Sequence, residues 1–324
     1  MRVDYWSLPP ELHAAVTARL GADVASAATQ TGGQSGGAAA RVALTDGRTA
    51  FLKGCSEDHP IAAQYEVEGW FGRKVLPFLD ADAATGPAPA TPGIPGRFPA
   101  PRLTAELRVL GWYVLVFEDI DGHDAAVTDP ADLAACLALF RTLAATTYPA
   151  AIAHRIPPVS VTLGHLASGW QRIAGDPPPD LDPWARSHLR ELCALERGWT
   201  AAAGGKTVVH TDLHPGNVLV APGPTGYAVD WTRPSSGAAW VDPLLFCLRD
   251  PALTGPSAPN ELPGWFRERY DLPAPLLRSF IAGAAGHWAD AARLEAPDYA
   301  PGLRAYERDR AAASLAWLRR ELER

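Results

Sequence analysis

The chain has 324 residues, of which 47% are hydrophobic and 20% charged, so it can bury a large core in two domains or one two-lobed domain, and wholesale disorder is excluded. Its net charge of −7, without a basic cluster, argues against nucleic acid or an anionic membrane as a partner and permits a cationic substrate. The cysteines lie far apart, the first residues lack the apolar core of a signal peptide, and no apolar run is long enough to span a bilayer. We therefore expect a cytoplasmic protein with reduced thiols and no membrane partner.

The N-terminal region combines strand and helix patterns around a glycine-rich segment. The sequence predicts a helix over 9–20, strands over 22–28, 41–44 and 49–53, and a helix over 59–79. The segment 31–37, Thr-Gly-Gly-Gln-Ser-Gly-Gly, follows the first of these strands. Its glycines would let backbone N–H groups approach phosphate oxygens, and Ser35 would add a hydroxyl donor. Gly33 and Ser35 are therefore candidate phosphate ligands, although a flexible linker has the same composition.

A lysine ends the last of these strands. Lys53 is one of only three lysines in a chain whose positive charge is otherwise arginine. A compact ammonium group binds phosphate as a point charge, which the broad fork of an arginine does not mimic. The position of Lys53, one hairpin after the glycine-rich segment, favours a phosphate ligand; the alternative is an ordinary surface lysine.

The middle and the end of the chain change from strands to helices. Residues 80–101 are rich in Ala, Pro and Gly, which predicts an irregular segment. Strand patterns resume on either side of Gly111, and the acidic stretch Glu118-Asp-Ile-Asp-Gly122 follows. Beyond it, helical periodicity dominates. Strands are predicted over 103–110 and 112–117, and helices over 133–144, 181–199, 241–247, 273–294 and 301–322.

The most informative stretch is Val208-Val-His-Thr-Asp-Leu-His-Pro-Gly-Asn-Val-Leu-Val220, which continues to Tyr227-Ala-Val-Asp-Trp231. The pattern predicts a strand, a polar loop, a strand, a turn, and a third strand that ends on Asp230. The turn lets the chain double back, so that Asp230 returns beside Asn217. Asp212 lies five residues before Asn217. We expect one site with two carboxylates and an amide oxygen.

These three side chains suit phosphoryl transfer, which requires a positioned acceptor hydroxyl and neutralised phosphate charge. Asp212 is the candidate catalytic base for the hydroxyl proton, and Asn217 and Asp230 are hard oxygen ligands suited to Mg²⁺. One alternative is a Pro-Gly turn between core strands with ordinary polar residues. Another is a metal hydrolase using the alternating His210, Asp212 and His214, but the other histidines show no ligand spacing.

The stretch His210-Thr-Asp-Leu-His-Pro-Gly-Asn217, followed by Val229-Asp-Trp231, resembles the signature of the aminoglycoside phosphotransferase and choline kinase group. The resemblance implies an α+β, two-lobed protein-kinase-like fold. An N-terminal β-sheet lobe with one main helix would cover 1–117 and bind the nucleotide. A hinge would cover 118–122, and a mainly helical C-terminal lobe for catalysis and substrate binding would cover 123–324.

The resemblance also implies that Lys53 binds nucleotide phosphates and is held there by a glutamate of the following helix. Glu66 is the expected partner because its spacing to Trp70 resembles the family pattern. Glu68 is the alternative.

Two further positions take roles from the resemblance. At the hinge, the C=O of Glu118 and the N–H of Ile120 would contact an adenine, with Phe117 behind the base. Without the resemblance, this stretch is an acidic turn after a strand. Asp242 would tie down the catalytic loop, although the proline of the family pattern is missing from Gly237-Ala-Ala-Trp-Val-Asp242.

The expected function is phosphorylation of a small hydroxylated molecule with ATP or GTP and Mg²⁺. A small acceptor is expected because Asp230 is followed by Trp231-Thr232 and then by too short a segment for a peptide-docking activation loop. An aminoglycoside-type antibiotic is the first candidate. The alternatives are another metabolite or antibiotic, such as an amino alcohol, a sugar, a nucleoside or a macrolide, and a nucleotide-binding pseudoenzyme. The sequence leaves the oligomeric state open.

Overall fold

The computed structural model describes residues 2–30, 36–85, 96–250, 253 and 264–323. The chain forms two compact units. The first comprises Met1–Thr142 with Gly216–Arg233, and the second comprises Leu143–Pro215 with Pro234–Arg324. The lobe boundary at residue 117 and the hinge over 118–122 stay predictions.

The secondary structure has strands near the N-terminus and around the central motif, and helices elsewhere. The strands are β1 (Val24–Thr29), β2 (Ala38–Leu44), β3 (Thr49–Ser56), β4 (Leu103–Val109), β5 (Trp112–Glu118), β6 (His123–Asp124), β7 (Thr207–Val209), β8 (Val218–Ala221), β9 (Thr225–Ala228) and β10 (Ser235–Gly237). The helices are α1 (Pro10–Leu20), α2 (Ala62–Trp70), α3 (Leu76–Thr85), α4 (Pro130–Ala145), α5 (Ala150–Ala153), α6 (Val159–Thr162), α7 (Gly169–Gly175), α8 (Pro183–Ser187), α9 (Leu189–Leu195), α10 (Val241–Arg249), α11 (Gly264–Arg269), α12 (Ala274–Ala291) and α13 (Leu303–Leu322).

A five-stranded antiparallel sheet in the order β1-β2-β3-β5-β4 dominates the first unit. Its middle strand is β3, on which Lys53 pairs with Ala39 of β2 and with Leu115 of β5. Small and β-branched residues such as Val42 and Val116 bury the sheet against a hydrophobic core. Because both edges of β3 are hydrogen-bonded, Lys53 projects from a backbone that neighbouring strands hold on both sides.

The first helix follows from simple start and stop signals. Pro10 lies at its beginning, where the missing N–H has no intrahelical partner to lose. Gly21 ends it in the left-handed conformation, with φ of 74°. Leu12 and Val16 bury one face against the core of the sheet, as the i, i+4 spacing predicts.

The predicted single helix over 59–79 is interrupted. A π-helical turn, Phe71–Val75, lies between α2 and α3. Such a turn accommodates one extra residue and shifts the phase of the helix that follows. The chain passes close to β4 at this point, since a Cβ at Gly72 would lie 2.7 Å from the Cβ of Leu103.

The second unit is organised around α12, which is buried along most of its length. Its Ala and Gly residues permit close helix packing: a Cβ at Gly169, the first residue of α7, would lie 2.2 Å from the backbone of Gly286 in α12. The predicted helix over 181–199 is found as α8 and α9, separated at His188 by a non-helical backbone. Strand β7 pairs with β10 in a small antiparallel sheet.

The state of the cysteines and the length and hydropathy of the helices can be compared with the expectations from the sequence. The four cysteines are free thiols, and three of them are buried. Within the described ranges, no helix is both long enough and apolar enough to cross a lipid bilayer.

The contact between α7 and α12 yields a test of the fold. Gly169→Ala should lower the free energy of unfolding by about 1–3 kcal/mol, because the added methyl group would overlap the backbone of Gly286. The matched control is Gly175→Ala at the other end of α7, where a Cβ would meet nothing within 4 Å. Urea unfolding of both variants measures the difference. Equal stabilities would contradict the close approach of the two helices.

Candidate active site

The first unit contains a buried lysine between two carboxylates. The Nζ atom of Lys53 lies 2.6 Å from Oδ1 of Asp230 and also contacts Oε2 of Glu68. Lys53 is 7% exposed and Glu68 is 4% exposed, whereas the Asp230 side chain is 39% exposed. The ring of Tyr65 lies 4.9 Å from the same ammonium group, within cation–π range. Lys53 is therefore not a surface lysine.

Charge and burial act against each other in this network. Burial lowers the pKa of Lys53, but the negative charges of Asp230 and Glu68 outweigh burial, so the pKa is raised and the ammonium stays charged. Burial raises the pKa of Glu68 to about 7, even though Lys53 favours its ionised form. The lysine is thus a fixed cation at neutral pH, held between a buried and a partly exposed acid.

The expectation that Glu66 pairs with Lys53 is wrong in this structure. Glu66 instead contacts Arg108, and both of these side chains are about half exposed. The reason is the phase of α2. Tyr65 and Glu68 are three residues apart and share the face toward Lys53, whereas Glu66 lies about 100° around the helix from Tyr65 and about 160° from Glu68.

Asn217 and Asp230 lie at the same end of the hairpin formed by β8 and β9. Asn217 is buried and directly precedes β8, and Val218 pairs with Ala228 across the hairpin. The backbone N–H of Val229 donates to the C=O of Asn217 at 3.0 Å. The doubling-back predicted from the turn is therefore present, and it puts Asn217 next to the segment that carries Asp230.

Aromatic packing holds the segment around Asp230. The ring of Trp231 stacks on Phe71 with centroids 4.4 Å apart and an interplanar angle of 4°. The indole N–H of Trp231 donates to the C=O of Ala228 at 2.9 Å. Because Phe71 directly follows α2, the helix that supplies Glu68 and the segment that supplies Asp230 are packed together.

The second unit holds the loop that carries Asp212. The carboxylate of Asp242 accepts hydrogen bonds from the backbone N–H of His210 at 2.7 Å and of Thr211 at 2.8 Å. The N–H of Asp212 donates to Nδ1 of His210 at 3.2 Å. Asp242 is 4% exposed, and burial raises its pKa to about 7, although the two N–H donors and Arg249 favour its ionised form. Asp242 thus makes the contact with the loop that its sequence position implied.

Backbone strain occurs at the candidate residue Asp230 and at Thr211, which directly precedes Asp212. Thr211 and Asp230 adopt positive φ values of 66° and 67°, in the left-handed region that β-branched residues in particular avoid. Such conformations persist only where the surrounding structure imposes them. The N–H of Thr211 donates to Asp242, which restrains the backbone there, and the Trp231 contacts and Lys53 restrain Asp230.

An arginine contacts the candidate base. The Nη1 atom of Arg249, the last residue of α10, donates to Oδ1 of Asp212. The side chains are 12% and 28% exposed, respectively. The motifs in the sequence do not indicate a role for this residue. Its only signal was the spacing of seven residues from Asp242, which puts both on one helical face.

The remaining predicted nucleotide contacts involve Gly33, Ser35, Glu118 and Ile120. Gly33 and Ser35 lie outside the described residues. The carboxylate of Glu118 is held by Arg97 and by the N–H of Arg102, and its own N–H donates to the C=O of Arg102. The adenine contacts through the Glu118 C=O and the Ile120 N–H stay predictions.

The metal-hydrolase alternative requires a cluster of metal ligands. In the part of the chain that the structure describes, no group of three or more His, Cys, Asp or Glu residues is arranged to hold a metal ion. Within the second unit, the ring of His210 instead accepts the hydrogen bond from the N–H of Asp212.

The chain matches a known protein family. The model of the phosphotransferase enzyme family (APH) matches residues 35–274, which is more than half of the sequence. The chain belongs to the phosphotransferase enzyme family. This match includes Lys53, the central motif and Asp230, and it confirms the family recognised from the sequence and the predicted class of small-molecule phosphotransferase.

Solved structures of antibiotic phosphotransferases are similar in fold. The spectinomycin phosphotransferase APH(9)-Ia has a TM-score of 0.61 at 13% identity, over 95% of this chain and 97% of its own. A thermostable mutant of the aminoglycoside phosphotransferase APH(4)-Ia has a TM-score of 0.61 at 14% identity, over 96% and 98%. The macrolide 2'-phosphotransferase MphH from Brachybacterium faecium has a TM-score of 0.56 at 18% identity, over 94% and 98%. No curated protein sequence matches the chain.

At these identities the similarity shows the fold. The α+β class with an antiparallel β-sheet in the N-terminal part and a helical C-terminal part is confirmed. The assignments of Asp212, Asn217, Asp230 and Lys53 as site residues stay predictions.

The buried lysine allows a stability test. Lys53→Met should destabilise the protein by about 3–5 kcal/mol near pH 8, because it leaves Glu68 buried without its cation. The pKa of Glu68, already raised to about 7, should rise further once Lys53 no longer lowers it. A folded state with a raised Glu68 pKa keeps a proton that the unfolded chain releases, so stability falls as the pH rises from about 5. In the wild type this fall ends near pH 7, whereas in Lys53→Met it should continue to about pH 8. Urea unfolding at the two pH values measures this.

Two variants serve as controls. Lys53→Met with Glu68→Gln should show little of the pH dependence, since no buried carboxyl is left at that position. Arg108→Met removes the half-exposed partner of Glu66 and should change stability by about 0–1 kcal/mol. A loss in Lys53→Met that does not vary with pH would contradict the pairing of Lys53 with Glu68.

Proposed function

We propose that this protein transfers the γ-phosphoryl group of ATP, or of GTP, to a hydroxyl group of a small molecule with the help of Mg²⁺. In this proposal Lys53 binds nucleotide phosphates, Asp212 is the catalytic base, and Asn217 and Asp230 hold the metal ion. The observation that carries the proposal is the buried contact of Lys53 with Glu68 and Asp230. A buried ammonium group fixed by two acids is preorganised to bind phosphate oxygens.

The nucleotide part of the proposal has support from proteins of similar fold. The structure of APH(9)-Ia contains ADP, and structures of APH(4)-Ia contain ADP or AMP-PNP. In this chain, the ammonium group of Lys53 is the candidate for contact with the phosphates. Its charge is retained at neutral pH because neighbouring acids raise its pKa.

The donor set at the end of the β8–β9 hairpin fits Mg²⁺. Asn217 offers an amide oxygen and Asp230 a carboxylate, and both are hard oxygen ligands of the kind that Mg²⁺ combines with phosphates and water. The hairpin pairing puts the two residues on neighbouring strand ends. The contact with Lys53 uses Oδ1 of Asp230, and a carboxylate has a second oxygen. When bound there, the metal ion would neutralise charge on the transferred phosphoryl group.

Asp212 is assigned as the base because its loop is rigidly held and its carboxylate is partly exposed. The backbone on its N-terminal side is fixed by Asp242, and the side chain is 28% exposed, so an acceptor can reach it. In the reaction, the acceptor oxygen forms a bond to the γ-phosphorus and the bond to the nucleotide diphosphate breaks. The hydroxyl proton passes to Asp212.

For the acceptor, an aminoglycoside-type antibiotic stays the first candidate. Two of the similar structures are phosphotransferases of spectinomycin or of an aminoglycoside, and a third is a macrolide phosphotransferase. Acids of the second unit add little support for a polycation: Asp242 binds loop backbone, Asp290 pairs with Arg172 and Arg293, and Arg249 offsets the charge of Asp212. A macrolide is therefore the alternative to be tested beside it. ATP consumption with panels of both antibiotic classes separates them.

The role of Asp212 is tested by Asp212→Asn. Turnover should fall by about 10²–10⁴ with a verified acceptor, while nucleotide affinity should stay near its wild-type value, because the base acts on the acceptor. Steady-state kinetics and calorimetric titration with ATP measure the two quantities. The control is Asp176→Asn, which alters an acid whose side chain is 90% exposed. Near-native turnover in Asp212→Asn would remove Asp212 as the base.

The metal ligands are tested by nucleotide binding alone. ATP affinity should fall sharply when EDTA removes Mg²⁺, because Mg²⁺ binds the protein and the phosphates together. In Asp230→Ala, affinity should already be low with Mg²⁺, and EDTA should lower it much less. Calorimetry on the wild type, Asp230→Ala and Asn217→Ala measures this. Equal ATP affinity of the wild type with and without Mg²⁺ would rule out this ligand pair.

A further inference from the structure

Helix α10 contacts the catalytic loop at both of its ends. Near its N-terminus, Asp242 accepts hydrogen bonds from the backbone N–H groups of His210 and Thr211. At its C-terminus, the guanidinium of Arg249 donates to the carboxylate of Asp212. One helix therefore holds three consecutive residues of the loop, two through the backbone and one through the side chain.

Helix geometry explains why these two residues can share the task. Asp242 and Arg249 are seven residues apart, which is close to two turns, so they lie on one face of the helix about 10 Å apart along its axis. A loop segment that runs beside that face meets Asp242 first and Arg249 second. The contacts of Asp242 fix the path of the backbone, and the contact of Arg249 acts on the Asp212 carboxylate itself.

The surroundings of Arg249 favour a fixed, charged guanidinium. Its side chain is 12% exposed. Burial lowers its pKa, but the negative charge of Asp212, together with Tyr306 of α13 and with Asp242, outweighs burial and raises it. A planar guanidinium presents its N–H donors in a rigid fork, so it restrains the orientation of a carboxylate better than a flexible ammonium does.

We propose that Arg249 is a positioning residue for phosphoryl transfer, which holds the Asp212 carboxylate in the orientation that accepts the hydroxyl proton. The inference rests on the proposed function, in which Asp212 is the base. Arg249 exchanges no proton in the reaction. The acceptor proton goes to Asp212, and the electron pair of the broken P–O bond leaves on the nucleotide diphosphate.

A purely structural ion pair would behave differently. Removal of such a pair would lower stability. The effect of its removal on kcat would be the same whether or not Asp212 is able to act as a base. A suitable reference is the pair of Arg304 and Glu307 in the same unit, whose side chains are 16% and 10% exposed. The two arginines are similarly buried, but Arg304 has no contact with the loop among its described interactions.

The experiment compares Arg249→Met, Arg249→Lys, Asp212→Asn, the double variant Arg249→Met/Asp212→Asn and the control Arg304→Met. Arg249→Met should lower kcat by about 10²-fold with little change in KM for ATP, since a misplaced catalytic group costs about that much. Arg249→Lys should recover part of the rate, because it restores the charge without the fork. In the Asp212→Asn background, Arg249→Met should have no further effect on kcat. Arg304→Met should lower stability without lowering kcat.

Several outcomes would overturn the inference. One is a near-native kcat in Arg249→Met; another is the same fold-loss of kcat with and without the Asp212→Asn change. If Arg249→Met does not fold, the decision passes to Arg249→Lys, which keeps the charge of the pair: an undiminished kcat in that variant rejects a positioning role of the fork. A wild type that consumes no ATP with any acceptor overturns the proposed function itself, and the positioning role with it. An active wild type with a silent Arg249→Met overturns only the positioning role.

Discussion

The first unit depends on one constraint, which is that a buried ammonium group must be surrounded by negative charge. Lys53 projects from the middle strand of the sheet into a site with little exposure, and there it contacts Glu68 and Asp230. An isolated buried charge would be strongly destabilising, so the sheet, the helix that follows it and the segment after the β8–β9 hairpin must reach the lysine together. Three regions far apart in sequence are thereby brought to one point. The stacking of Trp231 on Phe71 strengthens the same arrangement with apolar contact.

The second unit solves a related problem with backbone hydrogen bonds. Asp242 is buried, and its charge is compensated by two N–H groups of the loop and by Arg249. A carboxylate that accepts such bonds makes the loop conformation and the ionised acid depend on each other. Thr211, whose N–H makes one of these bonds, has the left-handed backbone conformation. In both units, a candidate site residue is therefore held in place by a buried acid. The same contact compensates the charge of that acid.

Much of this arrangement follows from local sequence patterns, and the rest depends on contacts between distant residues. Periodicity predicts α1, the strands that flank Lys53 and most C-terminal helices. The turn residues after Asn217 predict the hairpin, and the motif around Asp212, Asn217 and Asp230 resembles that of the family. The family spacing indicates Glu66, but the phase of the helix decides between the two glutamates and puts Glu68 at Lys53. Arg249 could not be found from spacing alone, since its partner is 37 residues away. The π-helical turn at Phe71–Val75 has no signal in the sequence patterns, and it lies where the chain packs closely against β4.

The positive φ values at Thr211 and Asp230 have a consequence for the evolution and engineering of this chain. Glycine is the residue with the lowest backbone strain in that conformation, yet a glycine at position 230 would remove the carboxylate that pairs with Lys53. A search for heat-resistant variants that scores only backbone strain would therefore select the wrong residue there. At position 211 the side chain has no assigned chemical role. A glycine there would relieve strain in the folded state, but it would also increase the conformational freedom of the unfolded chain. The two strained positions thus separate into one where stability and activity favour different residues and one where they need not conflict.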